Sequence, residues 1–378
     1  MKAAILLLNV GGGHQEAANN LKAALTKHHP DIELRTIDAL IYTPRWFQWL
    51  FAWWWLKMQY TAPRIWGWMY ESPLFATRFW GWWMYHAPWW GMRRELREFK
   101  PDVVFITHFV CNPVAQRVRR ESKLDMRINY ICTEFIWLDL YFRWPDTDHT
   151  FVSTEKQKEQ AIASGIPADH VAVTGIPIKP AFAEELSREA ARTKLGIPQD
   201  ATVLFFFAGT FGGTNIDRIV DSMKGKRVYP VVVCGKSTEA KERIEKLIAK
   251  AGIDGKVYGF VDFMDVIMRA ADLMVGKGGA LMCAECLATG CPVLLYGSPP
   301  GHELGNAKWL ETIGAGIVTD TIDDVLRAID DLLAHPEKLR RMHEVSKAAG
   351  LPRAAEHVVD LVLKDRLATR APAPQLPT

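Results

Sequence analysis

Three glycine-rich turns carry the side chains best suited to chemistry, and each follows a short apolar run that predicts a buried strand. The first is Gly11-Gly12-Gly13-His14, after residues 3–9. Glycines there let a ligand approach the backbone, and the helix that follows offers free N–H groups to an anion. His14 stands at the predicted start of that helix, where an imidazole can take a proton from an acceptor hydroxyl. A histidine that only caps the turn is the structural alternative.

The second turn, Gly276-Lys277-Gly278-Gly279-Ala280, separates a predicted strand at 273–275 from a helix at 281–288. A glycine turn that opens a helix is suited to a diphosphate, and its spacing differs from that of a Walker A loop. Glu285 follows about one and a half helical turns later, where a carboxylate can accept hydrogen bonds from both hydroxyls of a ribose. Its apolar neighbours in sequence favour a buried setting over a solvent-facing glutamate.

The third turn runs from Pro299 to Asn306, after a predicted strand at 293–296. It contains His302, Glu303 and Asn306 among glycines and prolines. Polar side chains on a loop at the end of a strand can bind sugar hydroxyls. The order of the three turns along the chain carries more weight than any one of them.

The elements that must position these turns alternate as strand, helix and strand in two successive groups. This pattern predicts an α/β fold made of two Rossmann-like domains, with a boundary near residues 175–200. Ligands of such folds bind at the carboxyl ends of the strands, here in a cleft between the two halves. The predicted strands are residues 3–9, 32–37, 103–107, 127–132, 150–152, 171–173, 203–208, 228–234, 257–260, 273–275, 293–296 and 317.

A tryptophan-rich segment interrupts the first half of the chain. Twelve of the fifteen tryptophans lie between Trp46 and Trp90, among several arginines and lysines. Indoles among cations are typical of proteins that lie on an anionic bilayer, whereas a packed core seldom needs so many indoles. A Trp-rich core is the alternative. Nucleic-acid binding is disfavoured, because the indoles are too dense for spaced base stacking.

Polar residues and prolines interrupt this segment too often for a transmembrane helix, which needs about 20 apolar residues. Short helices in the interface plane suit it better, because the less apolar positions from Arg45 onward share one helical stripe. That stripe comprises Arg45, Gln48, Ala52 and Gln59. The opposite side comprises Trp46, Trp49, Leu50, Trp53, Trp54 and Leu56.

The composition sets further limits. The chain has 378 residues and a net charge of +3, enough length for two domains with full cores. Its six cysteines include a Cys283–Cys286 pair without a second pair at zinc-site spacing, so no metal site is predicted. No signal peptide precedes the first strand, which predicts a cytoplasmic protein with reduced thiols.

Over roughly residues 1–360 the chain resembles the two-domain GT-B glycosyltransferases of family 28. The monogalactosyldiacylglycerol synthases and processive diacylglycerol glucosyltransferases are most similar, and the peptidoglycan N-acetylglucosaminyltransferase is more distant. Besides the three turns, the resemblance rests on Val-Thr-Gly-Ile-Pro-Ile at 173–178 and Gly-Phe-Val-Asp at 259–262. It implies an acceptor- and membrane-binding domain over 1–175 with the Trp-rich insertion at about 44–92. A UDP-sugar-binding domain over 176–365 follows, and residues 366–378 are predicted to form a disordered tail.

The resemblance assigns a role to each turn. His14 corresponds to the proposed catalytic base, Lys277 to Ala280 to the diphosphate site and Glu285 to the ribose site. Residues of the Gly-Phe segment correspond to the uracil site, and the last loop to the donor-sugar site. The predicted donor-binding residues are Gly12, Gly13, Gly209, Thr210, Phe211, Gly212, Phe260, Val261, Lys277, Gly278, Gly279, Ala280, Glu285, His302, Glu303 and Asn306.

The sequence departs from the family pattern at three places. Lys-Pro-Gly-Gly becomes Lys277-Gly278-Gly279-Ala280, and the glutamine before the loop glutamate becomes His302. The family's Thr-Asp-Phe becomes Thr133-Glu134-Phe135, and Glu134 is therefore a second candidate for the base.

These features together predict a monotopic, inverting glycosyltransferase at the cytoplasmic face of the membrane. It would move a hexose from a UDP-sugar to a diacylglycerol-like or glycolipid-like acceptor, bound to an anionic surface through residues 46–90. The helix end at Gly278–Ala280 would stabilise the departing UDP, so no tightly bound cofactor or metal is expected. A sugar-nucleotide 2-epimerase and a catalytically impaired lipid-binding protein on the same fold are the alternatives.

Overall fold

The computed structural model describes residues 1–9, 12–62, 64–65, 67–68, 89–137, 146–207 and 218–370, without the side chains of 51–56, 59–60 and 368–370. The chain divides into two units. The first contains Met1–Pro180 together with the C-terminal residues from Arg353, and the second contains Ala181–Pro352. Residues 353–365 thus belong to the first unit, whereas the sequence analysis assigned them to the second domain.

The first unit is built on a six-stranded parallel sheet in the order β2-β1-β3-β4-β5-β6. Its strands are β1 (Lys2–Leu7), β2 (Glu33–Asp38), β3 (Val103–Ile106), β4 (Arg127–Ile131), β5 (His149–Val152) and β6 (Val171–Val173). Its helices are α1 (Gly13–His28), α2 (Arg45–Thr61), α3 (Trp90–Phe99), α4 (Cys111–Ser122), α5 (Glu155–Ala163) and, after the second unit, α13 (Ala354–Arg370).

The second unit repeats the plan with a parallel sheet in the order β12-β11-β10-β7-β8-β9. Its strands are β7 (Thr202–Phe207), β8 (Val228–Val233), β9 (Lys256–Tyr258), β10 (Leu273–Gly276), β11 (Val293–Tyr296) and β12 (Gly316–Thr319). Its longer helices are α6 (Arg188–Leu195), α7 (Thr238–Ala251), α8 (Met264–Ala270), α9 (Ala280–Thr289), α10 (His302–Ile313), α11 (Ile322–Ala334) and α12 (Pro336–Ala349).

Most of these strands are continuous apolar runs, which suits parallel sheets that helices cover on both faces. Side chains alternate along β1: Leu6 and its neighbours at i±2 join one buried cluster with α3 and α4. Ile5 joins the cluster on the other face with α1 and α13. The twelve described strands match the predicted strands to within two residues at each end, which confirms the α/β class.

The C-terminal helix closes the first unit. Helix α13 packs against α1, and its Val358 and Val362 are buried in the cluster that contains Ile5. Its Arg366 is almost fully buried and donates hydrogen bonds to both carboxylate oxygens of Asp125, at 2.9 and 2.7 Å. The returning chain is therefore tied to the first sheet by packing and by charge.

The described part of the Trp-rich segment contains both buried and exposed rings. Phe47 and Trp89 are buried and meet edge to face, with ring centroids 5.6 Å apart. Their neighbours Trp46 and Trp90 are each 62% exposed, and Trp49 is 66% exposed. Of the helices described, none combines the length and the apolar character that crossing a bilayer requires. Side chains at the other predicted positions from 51 to 56, and most residues from 63 to 88, lie outside the description.

Candidate functional site

The first turn brings His14 to the carboxyl edge of the first sheet. Gly12 has a φ of +82°, which L side chains rarely adopt, and its carbonyl accepts the first hydrogen bond of α1, from Glu16 N–H. The chain thereby passes from β1 into α1, and His14 occupies the first turn of the helix, half-buried. Gly11 lies outside the described residues.

The His14 ring is oriented by two threonines. Its Nδ1 lies 2.8 Å from the carbonyl oxygen of Thr107 and 2.9 Å from Thr133 Oγ1. Thr107 also donates from Oγ1 to the His14 carbonyl at 3.1 Å. A carbonyl oxygen can only accept, so the hydrogen-bond network requires that Nδ1 carries the proton and donates it to Thr107 O. In the neutral ring the basic lone pair is then on Nε2, the arrangement that a general base requires.

A second imidazole, that of His108, lies against the His14 ring. His108 follows Thr107 directly and is only 1% exposed. Its ring centroid lies 4.4 Å from that of His14 with an interplanar angle of 66°, and it stacks on Phe109 at 4.7 Å. The Val110 N–H donates to His108 Nδ1 at 3.3 Å.

The Thr133–Phe135 segment lies beside His14 because Thr133 follows β4 by two residues. Its backbone is fixed by the buried Gln157, whose Nε2 donates to the carbonyl oxygens of Glu134 at 2.9 Å and Ile136 at 2.8 Å. Glu134 is 8% exposed. Burial raises the pKa of the neighbouring Cys132 thiol to about 12, which keeps the thiol protonated and unreactive at neutral pH.

In the second unit, the loops around Gly278 and Glu303 form one compact structure. Gly278 N–H donates to Ser298 Oγ at 3.0 Å, and a Cβ on Gly278 would come within 2.6 Å of the Glu303 carbonyl oxygen. The fully buried Asn306 donates from Nδ2 to Gly278 O at 3.5 Å. The structure thus brings together two of the turns that the sequence singled out.

Helix α9 begins directly after the Gly278 turn, and its first backbone N–H groups point toward that turn. Gly279 is its N-cap, and the first turn carries no acidic residue. Those N–H groups have no partner within the helix, and together with the helix dipole they favour an anion. Half-buried Glu285 lies five residues into α9, about 7.5 Å along its axis. Cys283 and Cys286 are fully buried on either side of it in the sequence.

The N-terminal end of α10 carries two further candidate residues, His302 and Glu303. Both lie in the first turn of α10, after Gly301 with a φ of +99°. The Nδ1 atom of His302 and the Oε2 atom of Glu303 are shielded from solvent. Burial lowers the pKa of His302, which keeps that imidazole neutral at physiological pH.

The remaining predicted donor-binding residues are described only in part. Phe260, after β9, is 71% exposed, and its neighbour Val261 is half-buried. Gly12 and Gly13 have open space where a Cβ would lie. Lys277 is half-buried beside Gly278. Gly209, Thr210, Phe211 and Gly212 lie outside the described residues.

Three residues of the candidate site were missed in the sequence: Thr107, His108 and Ser298. Each follows a strand of the structure within two residues, and a position at the end of an apolar run was the available signal. Among the residues that the structure describes, no group of three or more His, Cys, Asp or Glu side chains is arranged to hold a metal ion.

Comparison with known proteins places both units in known families. Residues 203–358 match the glycosyltransferase family 28 C-terminal domain, and residues 14–178 match monogalactosyldiacylglycerol (MGDG) synthase. The processive diacylglycerol beta-glucosyltransferase of Bacillus subtilis (strain 168) is 32% identical over 273 residues, covering 71% of this chain and 70% of that protein.

Solved structures confirm the predicted GT-B fold. MurG of Acinetobacter baumannii has a TM-score of 0.63 at 16% identity, covering 96% of this chain and 99% of that one. The UDP-GlcNAc 2-epimerase of Neisseria meningitidis has a TM-score of 0.57 at 17% identity, covering 96% and 100%. At these identities the likeness is one of fold alone. Identity over most of the chain carries the family assignment: this chain belongs to glycosyltransferase family 28.

Proposed function

We propose that this glycosyltransferase moves a hexose, with inversion, from a UDP-sugar to the hydroxyl of a diacylglycerol-like lipid at a membrane surface. The observation that carries the proposal is the hydrogen bond from His14 Nδ1 to the Thr107 carbonyl, which leaves Nε2 as the basic nitrogen. The similarity to processive diacylglycerol beta-glucosyltransferases supports a lipid acceptor and a UDP-sugar donor.

His14 acts on the acceptor. Its Nε2 takes the proton of the lipid hydroxyl while the hydroxyl oxygen forms a bond to C1 of the sugar. The bond between C1 and the diphosphate oxygen breaks, and UDP leaves with the electron pair. Attack opposite the leaving group inverts the configuration at C1. The Thr107 carbonyl, as acceptor for Nδ1–H, stabilises the positive charge that His14 gains.

The second unit binds the donor. The N-terminus of α9 at Gly278–Ala280 receives the diphosphate and stabilises the charge on departing UDP, with the Lys277 ammonium beside it. Glu285 accepts hydrogen bonds from the ribose hydroxyls, and the exposed Phe260 ring offers a surface to uracil. The polar groups of His302 and Glu303 bind the hexose.

The Trp-rich segment binds the membrane from the cytoplasmic side, without crossing it. Trp46, Trp49 and Trp90 expose most of their indole surface, and Arg45 and Arg94 are exposed beside them in the sequence. Exposed indoles among cations suit the interface of an anionic bilayer, where the ring is buried and the N–H stays hydrated.

The test of the proposed activity is a panel of UDP-sugars incubated with the protein and vesicles that contain diacylglycerol. UDP release and a glycosylated lipid with one donor are the expected result, at a rate that depends on diacylglycerol. Release of UDP that is equally fast in vesicles without diacylglycerol would point to hydrolysis or epimerase chemistry and would contradict a lipid acceptor.

A further inference from the structure

We infer that His108 is a positioning residue that keeps the His14 ring in the orientation of a base; this rests on the proposed role of His14. The observation is the contact of two imidazoles, with centroids 4.4 Å apart and planes 66° apart. His108 is almost fully buried, so it cannot itself meet a lipid hydroxyl.

The contacts of Nδ1 with Thr107 and Thr133 do not by themselves fix the His14 imidazole. The ring of His14 can rotate about the bond to Cβ, and half a rotation exchanges Nδ1 for a carbon atom at the Thr107 carbonyl. A hydrogen bond of ordinary net strength leaves a sizeable fraction of rings rotated. A contact on the side of the ring adds a second constraint, and a pair of aromatic rings changes such an equilibrium by roughly two- to tenfold.

His108 is itself fixed by three contacts, so its ring can restrict the motion of the His14 ring. Its ring stacks on the buried Phe109, with planes only 20° apart. Its Nδ1 accepts from Val110 N–H, and its carbonyl accepts from Cys111 N–H at 3.0 Å as the chain enters α4. A rigid neighbour of this kind restricts the base without taking part in proton transfer.

Two consecutive residues, Thr107 and His108, make these contacts with His14. Thr107 accepts from His14 Nδ1, and the next residue supplies the ring that flanks it. Both depend on the same turn after β3, so the base is oriented by one short, buried segment. The first turn of α1 is therefore positioned by the neighbouring strand as well as by its own glycines.

The experiment compares His108→Phe with His108→Leu. Both variants fill the buried space and both lose the acceptor for Val110 N–H, but only phenylalanine keeps a flat ring against His14. We expect His108→Leu to lower kcat by about tenfold or more, with the KM for the UDP-sugar within about twofold of wild type. His108→Phe should retain kcat within about threefold. Equal rates for the two variants would overturn the inference.

Non-additivity is the second arm. If His108 acts through His14, the double variant His14→Ala/His108→Leu should be no slower than His14→Ala alone. A further loss equal to that of the single His108→Leu variant would show independent action. His357→Ala, at an exposed position on α13, is the control and should match wild type.

A readout without turnover separates this inference from the proposed activity. Nitrogen-15 NMR of the His14 ring, assigned with His14→Ala, reports which nitrogen carries the proton. Wild type and His108→Phe should show the Nδ1-protonated form, and His108→Leu a mixture. Identical spectra for all three would contradict the positioning role even if lipid transfer is confirmed. Absence of transfer with a mixed spectrum in His108→Leu would contradict only the proposed activity.

Discussion

Gly278 lies so close to the first turn of α10 that a Cβ on it would come within 2.6 Å of the Glu303 carbonyl oxygen. The Gly278 turn and the loop that leads into α10 are therefore one packed structure, joined by the hydrogen bonds to Ser298 and from Asn306. A nucleotide-sugar that binds across both loops finds them already arranged, and less ordering is required on binding.

Gly278→Ala should separate the two loops. The added methyl would collide with the Glu303 carbonyl oxygen, so we expect a loss of about 1–3 kcal/mol in the free energy of unfolding. UDP affinity should fall as well, because the added methyl displaces the Gly278 turn from the start of α10. Gly279→Ala is the matched control for folding, since a Cβ there meets nothing within 4 Å. Thermal unfolding and calorimetry test both, and equal stability of the two variants would contradict the close packing.

Glu285→Ala should weaken UDP binding by about 1–3 kcal/mol, the range for losing hydrogen bonds to a charged group. Calorimetry with UDP measures the change, and unaltered thermal unfolding shows that the variant is folded. Glu337→Ala, an exposed position on α12, serves as the control. Wild-type affinity in a folded Glu285→Ala variant would rule out the ribose assignment.

His343 should make the second unit sensitive to acid. Burial, followed by the Arg188 charge, lowers the pKa of His343 to about 4, while in the unfolded chain it stays near 6.5. Arg188 Nη2 lies 2.9 Å from Nδ1 and 3.1 Å from Nε2 of His343, and Gly290 O lies 2.6 Å from Nδ1. Because a guanidinium can only donate, it needs an unprotonated ring nitrogen as acceptor, which a neutral imidazole supplies and an imidazolium does not. As the pH falls below 6.5, His343 is protonated in the unfolded chain but stays neutral in the folded protein. The free energy of unfolding therefore decreases until the pH reaches about 4.

The size of this loss is up to about 3 kcal/mol. Denaturant unfolding of the wild type and of His343→Gln, between pH 7 and pH 4.5, isolates the contribution from that of the carboxyl groups. The free energy of unfolding should fall more steeply for the wild type than for the variant. Parallel curves would show that His343 is not held neutral.

Replacing Trp46, Trp49 and Trp90 together by serine should abolish co-sedimentation with anionic vesicles, because these indoles are exposed and their removal disturbs little packing. Ile162→Ser with Leu367→Ser is the control, since these exposed apolar residues lie outside the Trp-rich segment. Unchanged sedimentation of the tryptophan variant would assign membrane contact elsewhere.

Local pattern was enough to predict the sheets. Most strands are continuous apolar runs between turn residues, and such runs are typical of parallel strands that helices cover on both faces. The sequence also singled out His14, Glu285 and the Gly278 turn as candidates, because a glycine turn between strand and helix favours anion binding. The family resemblance supplied the individual roles.

The contacts that orient His14 could not be predicted, because they join distant segments of the chain. Thr107 meets His14 across 93 positions of the chain, and Thr133 meets it across 119. No spacing within one segment predicts such a meeting; it follows from β3 and β4 lying on the same side of β1 in the sheet order. The return of α13 to the first unit depends in the same way on Arg366 reaching Asp125.

The most direct test of the account is lipid glycosylation by His14→Ala, with Glu134→Gln measured beside it. Loss of a general base costs about 10²- to 10⁴-fold in rate, and UDP affinity should be unchanged because the proposed nucleotide site is in the second unit. The account predicts this loss for His14→Ala with UDP binding intact, and a smaller effect for Glu134→Gln. Near-normal turnover of His14→Ala together with an inactive Glu134→Gln would make Glu134 the base and contradict the account.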